Sequence, residues 1–179
     1  MELFGKRCNS INTHTKSKIF LFTDASVNPQ TNIGFGAYLL LQEDELSSDL
    51  YEKGVETKKF ENTSSTKLEL ETLLWALSEI TPELHEITIY TDCQNIIGLK
   101  DRRERFEKNN YISKNNKQIK NRELYIEFYK FTDLLRCEFV KVKGHKKSSV
   151  KNSIDNVFTL VDKASRVALR NYSNKTAHI

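Results

Sequence analysis

Short apolar runs alternate with helical stripes along the chain. Ile19–Ser26, I-F-L-F-T-D-A-S, is a continuous run of strand formers that ends in a carboxylate, Asp24. Continuous hydrophobicity, as opposed to strict alternation, predicts a strand covered on both faces. A turn with N-P at Val27–Asn32 leads into a second strand, Ile33–Gln42 (I-G-F-G-A-Y-L-L-L-Q). Its Gly34 and Gly36 mark a place where the backbone passes close to a neighbour. Glu43–Asp49 is acidic and reads as a hairpin loop. Leu50–Phe60 is mixed and fits a partly exposed third strand.

Asn62–Thr66 opens a helix with Leu70, Leu73, Leu74, Leu77 and Ile80 on one stripe, closed by Pro82. The fourth strand, Glu86–Thr91, lies in a second apolar run, Ile87–Cys93 (I-T-I-Y-T-D-C), which again ends in a carboxylate, Asp92. A short helix is predicted at Gln94–Leu99. A helical period follows over Glu123–Leu135 (Leu124, Phe128, Phe131, Leu135), then a fifth strand at Cys137–Val142. A basic loop, K-G-H-K-K-S-S-V-K, precedes a final amphipathic helix at Ile154–Arg170. Three strands followed by strands alternating with helices make an α+β layout. At 179 residues the chain reads as one domain. Residues 1–17 are expected to form a loose polar arm, 18–171 the folded domain and 172–179 a tail.

Composition changes this picture little: 38% hydrophobic and 29% charged residues are ordinary for a globular protein. Three widely spaced cysteines (Cys8, Cys93, Cys137) suit reduced thiols better than a disulfide frame or a zinc site. No apolar run approaches the ~20 residues of a membrane span, and the N-terminus lacks the apolar core of a secretory signal. A soluble, cytoplasmic protein with no membrane contact is expected. The net charge of +4 is mild, but its distribution is not even. Lys100–Arg122 holds nine Lys/Arg against three Asp/Glu, interleaved with Phe106 and Tyr111. Such a run is either a solvated face or a surface for a nucleic-acid backbone.

The two strands ending in T-D carry the candidate chemistry. If they are neighbours, Asp24 and Asp92 lie side by side. Adjacent carboxylates raise each other's pKa unless a cation sits between them. Hard cations such as Mg²⁺ take oxygen ligands, commonly one or two carboxylates with waters and substrate phosphate. Glu69 and Asp162 offer two further carboxylates. Each acid also has an ordinary reading. Asp24 and Asp92 suit turns, Thr66-x-x-Glu69 suits a capping box, and Asp162 suits the polar edge of a helix.

Five motifs in order point further: T-D-A-S with its glycine-bearing strand, T-S-S-T-K-L-E-L, I-Y-T-D-C-Q, F-V-K-V-K-G-H and V-D-K-A-S-R-V-A. Across Lys18–Arg170 the chain resembles the type I ribonuclease H family, whose fold also serves the reverse-transcriptase nuclease domain. The resemblance implies a ribonuclease H-like fold, a five-stranded mixed sheet of order 3-2-1-4-5 flanked by helices. It implies an endonuclease that cuts the RNA strand of RNA–DNA hybrids with two Mg²⁺ ions, Mn²⁺ serving as substitute. In that chemistry the ions stand ~4 Å apart and the products carry 5′-phosphate and 3′-hydroxyl ends. Asp24, Glu69, Asp92 and Asp162 fall on the metal-binding carboxylates, Asp24 as the bridge. His145 falls on the loop histidine that assists proton transfer or product release.

Asp155 stands at the shorter spacing the family commonly shows after that histidine. It shares a helix stripe with Asp162 two turns away, about 10.5 Å, so only one can reach the metals. V-D-K-A-S-R-V-A favours Asp162. Asn28, Ser65 and Gln94 match positions that bind the minor groove, with Ser65 where asparagine is frequent. Ser64 and Asn121 match positions that hold a phosphate of the DNA strand. Ser64 and Ser65 also suit helix caps. The basic run, with Arg102, Arg103 and Arg105, lies where some members carry a substrate-gripping protrusion. The tryptophans usual there are missing, and Trp75 sits mid-helix, where core or helix packing is expected. The implied partner is the hybrid alone, bound by a monomer with no obligatory protein partner. Two other readings stay open: a nuclease of the same fold acting on DNA junctions or single strands, and a non-catalytic nucleic-acid-binding module.

Overall fold

A computed structural model of the chain describes residues 18–46, 54–81, 86–143 and 152–176. Strands β1 (Lys18–Asn28) and β2 (Ile33–Gln42) lead through a helical turn, α1 (Glu43–Leu46), to β3 (Glu56–Phe60). Helix α2 (Ser65–Ser78) precedes β4 (Glu86–Thr91). Helices α3 (Gln94–Ile97), α4 (Leu99–Lys108) and α5 (Arg122–Leu134) then lead to β5 (Arg136–Lys141) and α6 (Ser153–Thr176). The sheet has the order β3-β2-β1-β4-β5, as the resemblance implied. β1, β2 and β3 pair antiparallel; β4 pairs parallel with both β1 and β5.

The apolar run of β1 is explained by two cores, one on each face of the sheet. Leu21 packs with Leu70, Leu73 and Leu77 of α2 and with Phe128 and Tyr129 of α5. Phe20 and Phe22, pointing the other way, pack with Val157, Phe158 and Val161 of α6. Fully burying side chains of this size stabilises by roughly 1.5–3 kcal/mol each. The central strand is therefore firmly held from both faces, and so is the acid near its end.

Gly34 and Gly36 of β2 admit α2 at close range. A Cβ on Gly36 would lie 2.1 Å from Thr72 Oγ1, and one on Gly34 would lie 2.4 Å from Leu68 Cδ2. Those two contacts bracket Glu69, so the glycines set how near its helix comes to the sheet. Gly36→Ala is expected to cost about 1–3 kcal/mol through overpacking. It should also weaken binding of divalent ions by shifting Glu69. Thermal melts and an ion titration would check both effects.

Three elements differ from the sequence pattern. The acidic stretch after β2 begins with a helical turn, where Glu45 Oε2 accepts a hydrogen bond from the Gln42 amide at 2.6 Å. The helix expected at Gln94–Leu99 ends at Ile97, with Gly98 as its C-cap, and a separate helix, α4, occupies the start of the basic run. Helix α4 buries only Leu99 and Phe106, two apolar positions seven residues apart, too few to print a stripe on the sequence. Helix α6 runs to Thr176, past the end of its apolar pattern near Arg170.

Candidate active site

Register brings the first two acids together. Phe22 of β1 stands opposite Tyr90 of β4, their rings stacked at 4.7 Å. Asp24 and Asp92 each lie two residues further on, so they emerge abreast at the carboxyl ends of parallel neighbours. That is where ligands bind in open sheets of this kind. Helix α2 adds Glu69. One carboxylate oxygen from each of Asp24, Glu69 and Asp92 lies within 4.8 Å of the others. Asp24 and Glu69 are buried, while Asp92 faces solvent.

The capping reading of Glu69 does not hold. Helix α2 starts at Ser65 with Ser64 as its N-cap, so Thr66 is already inside the helix. Glu69 Oε2 is buried with no hydrogen-bond partner among the described residues. Leaving a buried carboxylate oxygen unpaired is costly, which makes it a sign of a missing counter-charge. Burial, reinforced by Asp24 and Asp92, pushes the Glu69 carboxyl well above its usual range. Burial also pushes Asp24 up to about 7. Asp162 and Asp92 reinforce that rise, while a hydrogen bond from Ser165 and the charge of Arg166 oppose it. Three converging oxygen donors, two of them desolvated, fit a hard divalent cation such as Mg²⁺ or Mn²⁺.

Helix α6 brings the two rival aspartates to different places. Asp155 sits in its first turn, in a reciprocal cap with Asn152. The Asn152 amide donates to Asp155 Oδ2 at 3.2 Å, and the Asp155 amide donates to Asn152 Oδ1 at 2.9 Å. Asp162 lies two turns on, close enough to raise the Asp24 carboxyl, and pairs with Arg166 at 2.7 Å. Asp155→Ala should therefore cost about 1 kcal/mol of stability, as lost caps do. Ion affinity should stay unchanged, whereas Asp162→Asn should lower affinity without that stability loss. Parallel melts and calorimetric ion titrations would separate the two.

The remaining predicted positions surround this cluster unevenly. Ser64 and Ser65 open α2, and the Ser64 hydroxyl makes no capping bond. Asn28 Oδ1 accepts from the Gln30 amide at 2.9 Å, within the β1–β2 turn. Gln94 opens α3 directly after Asp92 and Cys93, its Oε1 accepting a hydrogen bond from Lys141 Nζ. Asn121 is the left-handed N-cap of α5 (φ 64°), also without a side-chain cap. His145 lies outside the described residues.

The basic run divides. Arg102 donates to the carbonyls of Gly98 and Asn95. Arg103 pairs with Asp133 through both guanidinium Nη atoms and with Glu107 at 2.8 Å, clamping α4 to α5. Arg105 is exposed, 5.5 Å over the Phe106 ring. Trp75 packs edge-on against Tyr38 at 4.6 Å, the packing role its mid-helix position suggested. One contact escaped the sequence reading: the buried Ser165 donates to Asp24 Oδ2 at 2.8 Å. Its only sequence signal was a place three residues after Asp162, on the same helix face.

A mixed 3-2-1-4-5 sheet with carboxylates gathered at the ends of its central strands defines a member of the ribonuclease H-like fold class. The chain belongs to the ribonuclease H family, whose model (RNase H) matches residues 16–165. It is 27% identical to a ribonuclease H of Acetivibrio thermocellus over 146 residues, 79% of this chain and 92% of that protein. A ribonuclease H of Clostridium botulinum is 28% identical over 142 residues, 77% of this chain and 91% of that one. In fold it matches the structure of a foamy viral protease-reverse transcriptase in complex with dsDNA. That match has a TM-score of 0.59 at 10% identity, covering 85% of this chain and 95% of that chain. No helix among the described residues is long and apolar enough to cross a membrane.

Proposed function

We propose that this protein is an endonuclease that hydrolyses the RNA strand of RNA–DNA hybrids with Mg²⁺, or Mn²⁺ in its place. The observation that carries the reading is the orphaned Glu69 oxygen inside a cluster of three carboxylates. Asp24, Glu69 and Asp92 would hold the ions, with Asp162 completing the set from α6. Bound divalent ions supply activation of the attacking water and stabilisation of the leaving 3′ oxygen in an in-line displacement. The chain's own part is to hold the acids rigidly on β1, β4 and α2 and to orient the scissile strand.

Selection of RNA rests on the 2′-hydroxyl, presented in the shallow minor groove. Asn28, Ser65 and Gln94 are proposed to meet that groove, with Ser64 and Asn121 on the DNA-strand phosphate. The uncapped hydroxyl of Ser64 and the uncapped amide of Asn121 support this use. His145 is proposed to carry a proton for the reaction or to assist product release. The protein is taken to act as a cytoplasmic monomer.

The basic run is proposed to grip the backbone, with unequal shares among its arginines. Arg105→Glu should weaken hybrid binding and reduce the salt slope by about one counterion. Reversal of Arg102 or Arg103 should weaken binding less, because both guanidinium groups are already engaged by groups of the same chain. Anisotropy titrations in EDTA at several salt concentrations, beside thermal melts, would show the split.

The substrate itself is tested with end-labelled RNA–DNA hybrid, duplex RNA, duplex DNA and single strands in Mg²⁺. Cleavage confined to the RNA of the hybrid, with 5′-phosphate ends, is the expected result. Cleavage of DNA, or binding with no cleavage in Mg²⁺ or Mn²⁺, would overturn it.

A further inference from the structure

We propose that Ser165 is a positioning residue that locks Asp24 for ion binding. This rests on the carboxylate cluster being the ion site. Ser165 is wholly buried, its Oγ 2.8 Å from Asp24 Oδ2, 3.0 Å from the Asp162 carbonyl oxygen and 3.4 Å from Ser26 Oγ. A serine hydroxyl has one proton, so it cannot serve all three as donor. The Asp162 contact is the ordinary back-bond of a helical serine to its own preceding turn. An ionised carboxylate at the shorter distance is the stronger acceptor, since bonds to charged groups are about twice as strong as neutral ones. The proton therefore goes to Asp24.

That bond joins two elements 141 residues apart in sequence. Among the described residues it is the one side-chain hydrogen bond to the Asp24 carboxylate, and it comes from α6, the helix that also carries Asp162. Asp24 extends from β1 on the same side as Phe20 and Phe22, the face that α6 covers. Packing of Val157, Phe158 and Val161 against that face brings Ser165 to the carboxylate. A small residue without a hydroxyl would fill nearly the same space and leave the carboxylate to rotate about its χ angles. Fixing it in advance removes a cost that the ion would otherwise meet on binding, as partners of metal ligands do elsewhere.

The test compares wild type, Ser165→Ala and Val157→Ala. Alanine is a better helix former than serine, so Ser165→Ala should fold. Val157→Ala lowers stability in the same helix–sheet interface without touching the acids. Mn²⁺ affinity is read by calorimetry without nucleic acid, hybrid affinity by anisotropy in EDTA, and kcat and KM by cleavage. Ser165→Ala should bind Mn²⁺ about 10-fold more weakly. Its kcat at fixed Mg²⁺ should fall similarly, while hybrid affinity and KM stay unchanged. Val157→Ala should lose melting temperature and keep wild-type Mn²⁺ affinity. Equal Mn²⁺ affinity in wild type and Ser165→Ala, or an equal loss in Val157→Ala, would overturn the role of Ser165. If wild type binds no Mn²⁺, it is the ion site itself that fails.

Discussion

Asp24→Asn is expected to lower hybrid cleavage by on the order of 10³-fold while making the metal-free protein more stable at pH 8. Both effects have one origin. Asp24 is the most central of the three gathered acids, buried on a strand packed from both sides. Losing a ligand that positions catalytic ions forfeits several kcal/mol of transition-state stabilisation, and each 1.36 kcal/mol is a factor of ten. The same carboxylate is a burden without an ion, because burial raises its pKa from 3.8 to about 7. Asparagine removes that charge and still offers an oxygen to the Ser165 hydroxyl. A stability gain of ~1–4 kcal/mol follows from the linkage between pKa shift and folding. Melts in EDTA beside a cleavage assay would show both halves. An inactive but destabilised variant would mean that Asp24 is a structural residue.

The second large effect is the pH dependence of metal-free stability. A carboxyl with its pKa raised on folding binds its proton more tightly in the native state. Stability is then greatest below the unfolded value near 4. It falls as pH climbs from there through the folded value of about 7, and levels off above it. Asp24 alone accounts for a fall of up to about 4 kcal/mol across that window. Glu69 shifts in the same direction for the same reason. Divalent ions should reverse the trend, because they bind the ionised form: Mg²⁺ should add little stability at pH 5 and several degrees of melting temperature at pH 8. In Asp24→Asn the pH slope in EDTA should flatten. A wild-type stability that rises between pH 5 and 8 in EDTA would contradict the arrangement of charges described here.

Much of the frame was legible because burial on both faces leaves a distinctive print. β2 and β4 fall at their predicted limits, Ile33–Gln42 and Glu86–Thr91, and β1 extends its predicted run at both ends. Elements with one-sided or sparse burial printed weakly. Edge strand β3 begins at Glu56, its predicted start at Leu50 lying outside the described residues, and α4 left no stripe. The convergence of Asp24, Glu69 and Asp92 was legible, but their surroundings were not. Whether Glu69 caps its helix depends on where that helix begins, and a shift of the N-cap from Thr66 to Ser64 removes the capping geometry. Asp155 and Asp162 share a stripe in sequence, and their surroundings differ only in three dimensions: Asp155 sits in the Asn152 cap, Asp162 near Asp24 and Arg166. Ser165 acts across 141 residues, a distance that no local pattern encodes.

Cleavage is proposed to depend on divalent ions bound jointly by Asp24, Glu69 and Asp92. The most direct test is strand-labelled RNA–DNA hybrid incubated with wild type and Asp24→Asn, each across a Mg²⁺ titration from EDTA to millimolar concentrations. Cutting of the RNA strand by wild type is expected to begin only as Mg²⁺ is added, with no comparable activity in the variant at any concentration. Wild-type cleavage in EDTA, or an Asp24→Asn protein as active as wild type in Mg²⁺, would contradict that dependence.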